Sequence, residues 1–211
     1  ARLAKERGLD ARVIWDLAFW GTLGGFVGAR LAHVLLYDPA TYLADPWLVL
    51  RLRDGGYSSA GALVGGILAG VAFLKAARLN LAAYADTAAF GVPLGYAIGR
   101  VGCFLIHAHP GTLTSFVLGV RYPAGVRHDL GLYESLNGLV LALVFAALWR
   151  HKAKQGTYAA AFLIWYGFSR FFLDFLRATD GAIVDARYAS LTPAQWLAAG
   201  LFILGLWVYR K

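Results

Sequence analysis

Apolar residues in this chain fill whole stretches instead of marking one face of each helix, and polar positions gather near the ends of those stretches. Six apolar runs stand out, at 13 to 36, 57 to 74, 83 to 106, 130 to 149, 157 to 176 and 193 to 209. Runs of roughly 17 to 25 residues match the hydrocarbon thickness of a bilayer. Each is predicted to be a helix, because lipid offers backbone N–H and C=O groups no partner outside their own segment. Only 37 to 56 and 107 to 129 are long connections. The pattern predicts an all-α polytopic membrane protein with about six transmembrane helices, a single integral membrane domain over residues 1 to 211, and an outward-facing cap region at 107 to 129.

Composition agrees with this class. The chain is 59% hydrophobic and 15% charged, with a mean hydropathy of +0.58, which excludes an ordinary soluble domain. A net charge of +8 would suggest nucleic acid in a soluble protein, but here the cations form no patch, and no nucleic-acid partner is expected. Of the 20 Lys and Arg residues, 11 flank the runs on one side and 6 on the other, and 3 lie within them. By the positive-inside rule both ends of the chain face the cytoplasm and the two long connections face outward. The sequence begins with Ala and contains no Met, so further residues, including another helix, are expected before it. Residues 1 to 12 are cationic and lack an apolar centre, and so read as a cytoplasmic lead into a helix and not as a signal peptide.

Glycines recur at four-residue spacing: Gly21 and Gly25, Gly24 and Gly28, Gly61 and Gly65, Gly66 and Gly70, then Gly91, Gly95 and Gly99. Such spacing lets helix backbones approach closely in lipid, so these glycines are assigned to packing. No repeat of 20 to 50 residues is visible, nor any similarity between the two halves, which counts against a transporter built from inverted repeats. The single cysteine, Cys103, excludes an internal disulfide and a multi-cysteine metal site, and reads as a small packing residue at a helix end.

Three arginines, Arg30, Arg100 and Arg170, fall within the apolar runs. A guanidinium at mid-bilayer costs roughly 2.5 to 3.5 kcal/mol even on the most lenient insertion scale, so each needs an anion to meet. Phospholipid phosphate is the abundant one, and the planar fork of Arg suits two of its oxygens. In the fifth run Tyr166, Arg170, Asp174 and Arg177 lie within about 80° of one another on a helix. They form either an anion site in which Asp174 orients Arg170, or a buried ion pair that fixes helix register. The third run places Arg100 between Gly99 and Gly102, just before His107 and His109. Glycines there would let a phosphate reach the backbone. His-x-His without a third ligand is a weak metal signal, and no metal or other cofactor is expected; as a proton acceptor the pair is more plausible. The fourth run opens with His128, Asp129, Tyr133 and Glu134, a polar first turn suited to a lipid headgroup, with Asp129 as an N-cap.

With these residues laid out, the chain resembles the bacterial prolipoprotein diacylglyceryl transferase family. The matching pieces are ordered along the chain: G-A-R with V-L-L-Y at 28 to 37, Y-L-A-D-P at 42 to 46, D-G-G at 54 to 56, G-R-V-G-C-F at 99 to 104, R-H-D-L-G-L-Y-E at 127 to 134, Y-G-F-S-R-F-F-L-D-F-L-R at 166 to 177, and T-P-A-Q-W at 192 to 196. The resemblance implies a seven-helix enzyme of the bacterial inner membrane, its site toward the outer leaflet, with the first of the seven helices preceding this sequence. Its substrates would be phosphatidylglycerol and the signal-peptide region of a preprolipoprotein, with membrane lipid around it. Its reaction would move the diacylglyceryl group to the lipobox cysteine, forming a thioether and releasing glycerol phosphate. The family's essential arginines fall on Arg100 and Arg170 and its signature tyrosine on Tyr166. Arg30, Gly99, Gly102, His128, Tyr133, Glu134, Asp174 and Arg177 would line the substrate.

The departures are equally specific. The family's proposed basic histidine, in S-F-H-G-G after D-G-G, is replaced by Ala60. In N-F-x-N-G-E after the G-R-x-G signature, Cys103, Ile106 and Ala108 stand for the two Asn and the Glu. The carboxylate after Arg170 is shortened to Asp174, and Asp129 replaces a proline. Either His107 or His109 then supplies the missing proton acceptor, or the chain is a paralogue that binds or translocates phospholipid without the transfer.

Overall fold

The computed structural model describes residues 2–148, 153–180 and 185–210. Among the described residues, five helical stretches are long and apolar enough to cross a membrane: Ala11–Tyr37, Ser59–Ala76, Leu81–Leu105, Leu130–Ala147 and Thr157–Leu176. They fall on the first five apolar runs. The sixth run also forms a helix, Pro193–Arg210, but Pro193 and Gln195 at one end and Tyr209 and Arg210 at the other dilute its apolar character, and it is not among the five. Position 149, the expected end of the fourth run, and Arg150, Lys152 and Lys211, counted among the expected cytoplasmic cations, lie outside the described residues.

The chain divides into two compact units, one of Ala1–Ala88 with Ala186–Leu197 and the other of Ala89–Asp185 with Ala198–Lys211. The first unit holds α1 (Arg2–Glu6), α2 (Ala11–Ala32), α3 (Pro39–Ala44), α4 (Ser59–Ala76) and most of α5 (Leu81–Ala89). Asp10 caps α2 by accepting from the backbone N–H of Arg12, and Ser58 caps α4 by accepting from that of Gly61. Helices α2 and α4 meet through the expected glycines. A Cβ on Gly24 would lie 2.7 Å from the carbonyl oxygen of Gly65, and one on Gly28 would lie 2.6 Å from that of Gly61. Only glycine permits that approach, which is how helices associate where lipid removes the hydrophobic drive. The connection expected at 37 to 56 is built from short helical pieces: a π-helical turn His33–Tyr37 that ends α2, then α3, then 3-10 turns at Pro46–Leu50 and Leu52–Asp54.

The second unit carries α6 (Val92–Leu105), α7 (Leu130–Ala147), α8 (Thr157–Leu173) and the larger part of α9 (Pro193–Arg210). Gly138 of α7 sits against α6, where a Cβ would lie 3.0 Å from the carbonyl oxygen of Pro93. Gly167 of α8 is closed off in the same way by the carbonyl oxygen of Ala198, at 2.6 Å. Gly95 and Gly99 differ from the sequence expectation: nothing lies within 4 Å of a Cβ built on either, so they face open space and are not helix contacts.

The region at 107 to 129 contains a small antiparallel sheet in the order β1-β3-β2, with β1 at Pro110–Leu113, β2 at Val120–Tyr122 and β3 at Gly125–Asp129. Gly125, at φ +121°, makes the turn from β2 to β3. Register follows from Arg121 opposite Val126 and Pro110 opposite Asp129. Arg127 ties the sheet to the segment after α8, donating to both carboxylate oxygens of Asp180 at 2.9 and 2.7 Å and to the carbonyl of Gly111 at 2.9 Å.

Candidate active site: two arginines on one carboxylate

Three helices of the second unit converge on Glu134. Asp129 caps α7, its Oδ1 accepting from the backbone N–H of Leu132 at 2.9 Å, and this fixes Glu134 in the first turns of the helix with only 2% of its surface exposed. From α6, Arg100 reaches it with Nε 2.6 Å from Oε2, and Tyr96, one turn earlier, donates its hydroxyl to the same oxygen. From α8, Arg170 donates Nη1 to Oε1. Each carboxylate oxygen therefore meets a different arginine. Arg100 also lies over the Tyr96 ring, 5.2 Å from its centroid, a favourable cation–π distance.

Around Arg170 the expected stripe is assembled. Asp174, fully buried, lies 3.1 Å from Arg170 Nη2 and 3.0 Å from Arg177 Nε, and Asp185 lies 3.1 Å from the same Arg177 nitrogen. Arg170 Nε is buried with no hydrogen-bond partner among the described residues. Tyr166 packs its ring edge-on against Tyr96 at 5.5 Å between centroids. A buried carboxylate or guanidinium is tolerable only when paired in this way. Of the two alternatives left open for the stripe, the buried ion pair is the one these contacts describe.

Gly99 and Gly102 flank Arg100 on α6, and nothing lies within 4 Å of a Cβ on either. Cys103 lies beside Arg100, with Sγ 3.8 Å from Nη1, so it is a neighbour of the charged cluster as well as a packing residue. His128 and Tyr133 are engaged with each other, Nδ1 to hydroxyl at 2.7 Å, at the foot of α7.

The two histidines differ. His107 is exposed, has a left-handed backbone at φ +51°, packs its ring against Tyr122, and places Nδ1 2.8 Å from the carbonyl of Phe104. His109 is half-buried, and burial, then the charges of Arg100 and Arg177, hold its imidazole down at about 4, with Glu134 acting weakly the other way. At neutral pH it is uncharged and able to accept a proton.

Arg30 belongs to the first unit and differs from the sequence expectation. Its Nε donates to Val49 (3.1 Å), Nη1 to Gly55 (2.5 Å) and Gly56 (3.2 Å), and Nη2 to Leu48 (2.6 Å) and Arg51 (3.1 Å), all backbone carbonyls. A guanidinium has five N–H donors, and each of these contacts engages one. Tyr42 and Tyr57 cover its faces at 5.2 and 5.6 Å. In this arrangement Arg30 anchors the segment from 48 to 56 and has no donor left for a phosphate. Gly56, at φ +79°, lies so close that a Cβ there would be 2.8 Å from Arg30 Nη1.

Sequence reasoning missed Tyr96, although its position one turn before Arg100 was the available signal. Glu134 is among the residues expected to line the substrate, and the structure sets it between the arginines, a long-range relation that spacing along one helix does not reveal.

Taken together, the apolar helices and the buried arginine pair define a multi-pass membrane protein with a charged site among the helices of its second unit. Residues 1–210 match the family model described as prolipoprotein diacylglyceryl transferase, and the chain belongs to that family of membrane transferases. Among similar proteins, the phosphatidylglycerol--prolipoprotein diacylglyceryl transferase of Aeromonas hydrophila is 32% identical, over 99% of this chain and 78% of that protein. Those of the same name from Nitrosomonas europaea and Bordetella parapertussis are 34% and 35% identical, over 92% and 95% of this chain and 73% and 78% of theirs.

Proposed function

We propose that the protein transfers the diacylglyceryl group of phosphatidylglycerol to the lipobox cysteine of a preprolipoprotein at the outer leaflet of the bacterial inner membrane. The observation that carries this reading is the meeting of Arg100 and Arg170 on one buried carboxylate, in a chain of this family. In the reaction the peptide thiol loses its proton and the sulfur bonds to a glyceryl carbon. The bond from that carbon to the phosphate oxygen breaks, its electron pair leaves with the oxygen, and glycerol phosphate is the second product. Arginines beside that phosphate stabilise the growing negative charge, and in a site shielded from water this effect is largest.

Thiolate is the nucleophile, and a free thiol is mostly protonated at neutral pH, so a proton acceptor is needed. His109 takes that role: it is neutral, and it stands close enough to Arg100 and Arg177 to feel their charge. A phosphate bound at the arginines offsets that charge and strengthens the imidazole as a base when substrate is present. Ala60, where the family's proposed base would be, favours a second reading in which the site binds or moves phospholipid without chemistry. Products separate the two: the transferase releases one glycerol phosphate for each modified peptide, whereas a binder or translocator leaves the lipid intact.

A further inference from the structure

The charged cluster is balanced within itself. Arg100, Arg170 and Arg177 face Glu134, Asp174 and Asp185, three cations against three carboxylates. An anionic headgroup therefore does not meet an excess of positive charge. It meets arginines already occupied, and Glu134 occupies the two from α6 and α8 with one oxygen each. A phosphodiester offers the same feature, two charged oxygens on one atom, which is the arrangement that Arg recognises in carboxylate and phosphate alike.

We propose that Glu134 is a resident anion, a positioning residue that fills the seat between Arg100 and Arg170 and that the substrate's phosphate competes with, so that the carboxylate keeps headgroup binding weak and release of the phosphate product fast. This rests on the reading of the site as one for a phospholipid phosphate. Two observations support it. Glu134 is held for the purpose, by the Asp129 cap below it and by the Tyr96 hydroxyl on Oε2. Arg170 keeps a buried Nε without a partner among the described residues, a donor that a larger anion than carboxylate could satisfy. A carboxylate held for stability alone would not require the unmet donor.

The test is the affinity of the purified full chain in detergent for glycerol phosphate, read as the rise in melting temperature with ligand, which reports binding to the folded state without any turnover. Glu134→Gln is expected to bind glycerol phosphate on the order of tenfold more tightly than the wild type, and to show a lower KM for phosphatidylglycerol together with a lower kcat. Tyr96→Phe, which keeps the carboxylate and loosens it, is expected to shift both in the same direction by less, and it stands in should Glu134→Gln not fold. Affinity unchanged or weakened in the variants would overturn the inference, as would an equal tightening in Asp185→Asn, which removes one charge from the same cluster without emptying the seat between Arg100 and Arg170. A wild type that binds glycerol phosphate, tightens in Glu134→Gln, and yet transfers nothing would uphold the resident anion and remove the transferase reading instead.

Discussion

Asp174 holds Arg170 from one helical turn away, with Oδ1 3.1 Å from Nη2, and the same oxygen lies 3.0 Å from Arg177 Nε. The carboxylate sits where α8 gives way to a 3-10 turn, and it is fully buried. Removing one member of a buried ion pair leaves the other charge uncompensated, at a cost of about 3 to 5 kcal/mol. Asp174→Ala is therefore expected to lower stability by about that amount and to abolish activity, whereas Asp174→Glu keeps the charge and retains much of both. Denaturation in detergent micelles, followed by tryptophan fluorescence, measures the difference.

Arg100 is expected to be irreplaceable by lysine. Lysine keeps the charge but loses the planar fork that reaches Glu134 Oε2 through Nε. Arg100→Lys should lower kcat by roughly 10² to 10³, the range for loss of one aimed donor at a developing negative charge. A steady-state assay of peptide modification reads it.

The glycines divide into two kinds. Gly28→Ala forces a Cβ toward the carbonyl of Gly61 and should destabilise by about 1 to 3 kcal/mol through overpacking. Gly99→Ala meets nothing within 4 Å and should leave stability unchanged. A loss of activity in Gly99→Ala at unchanged melting temperature would show that this exposed face of α6 is used by substrate.

His109 gives a pH signature. Its folded-state value, about 4, lies below the ordinary 6.5, so the unfolded chain binds more protons between those values and stability falls as pH drops through that window. Wild type should lose stability from about pH 6.5 toward 4 more steeply than His109→Ala. His109→Ala should also lose thioether formation while staying folded at neutral pH, and the double variant with His107→Ala should add no further loss. Full activity in the double variant would remove His107 and His109 from the mechanism.

Much of the fold is legible in the apolar runs, because a bilayer leaves few solutions for a backbone that must satisfy its own hydrogen bonds. The stripe from Tyr166 to Arg177 is legible for the same reason: its members share one helix face, and helical spacing alone brings Asp174 to Arg170. The role of Glu134 is not, since its partners come from α6 and α8 and only tertiary packing joins them. Arg30 shows the converse: its residue type and depth suggest an anion, but the anchoring carbonyls come from 18 to 26 residues away, in a segment without helical periodicity. The sheet at 110 to 129 is hidden by its short strands and the turns between them.

The most direct test of the central claim is mass spectrometry of a lipobox peptide incubated with phosphatidylglycerol and the purified protein, beside Arg100→Ala. The account predicts a diacylglyceryl increment on the peptide cysteine with the wild type, lost in Arg100→Ala. An unmodified peptide, with phosphatidylglycerol still bound by the wild type, would contradict it and leave a lipid-binding protein in which Ala60 marks a lost reaction.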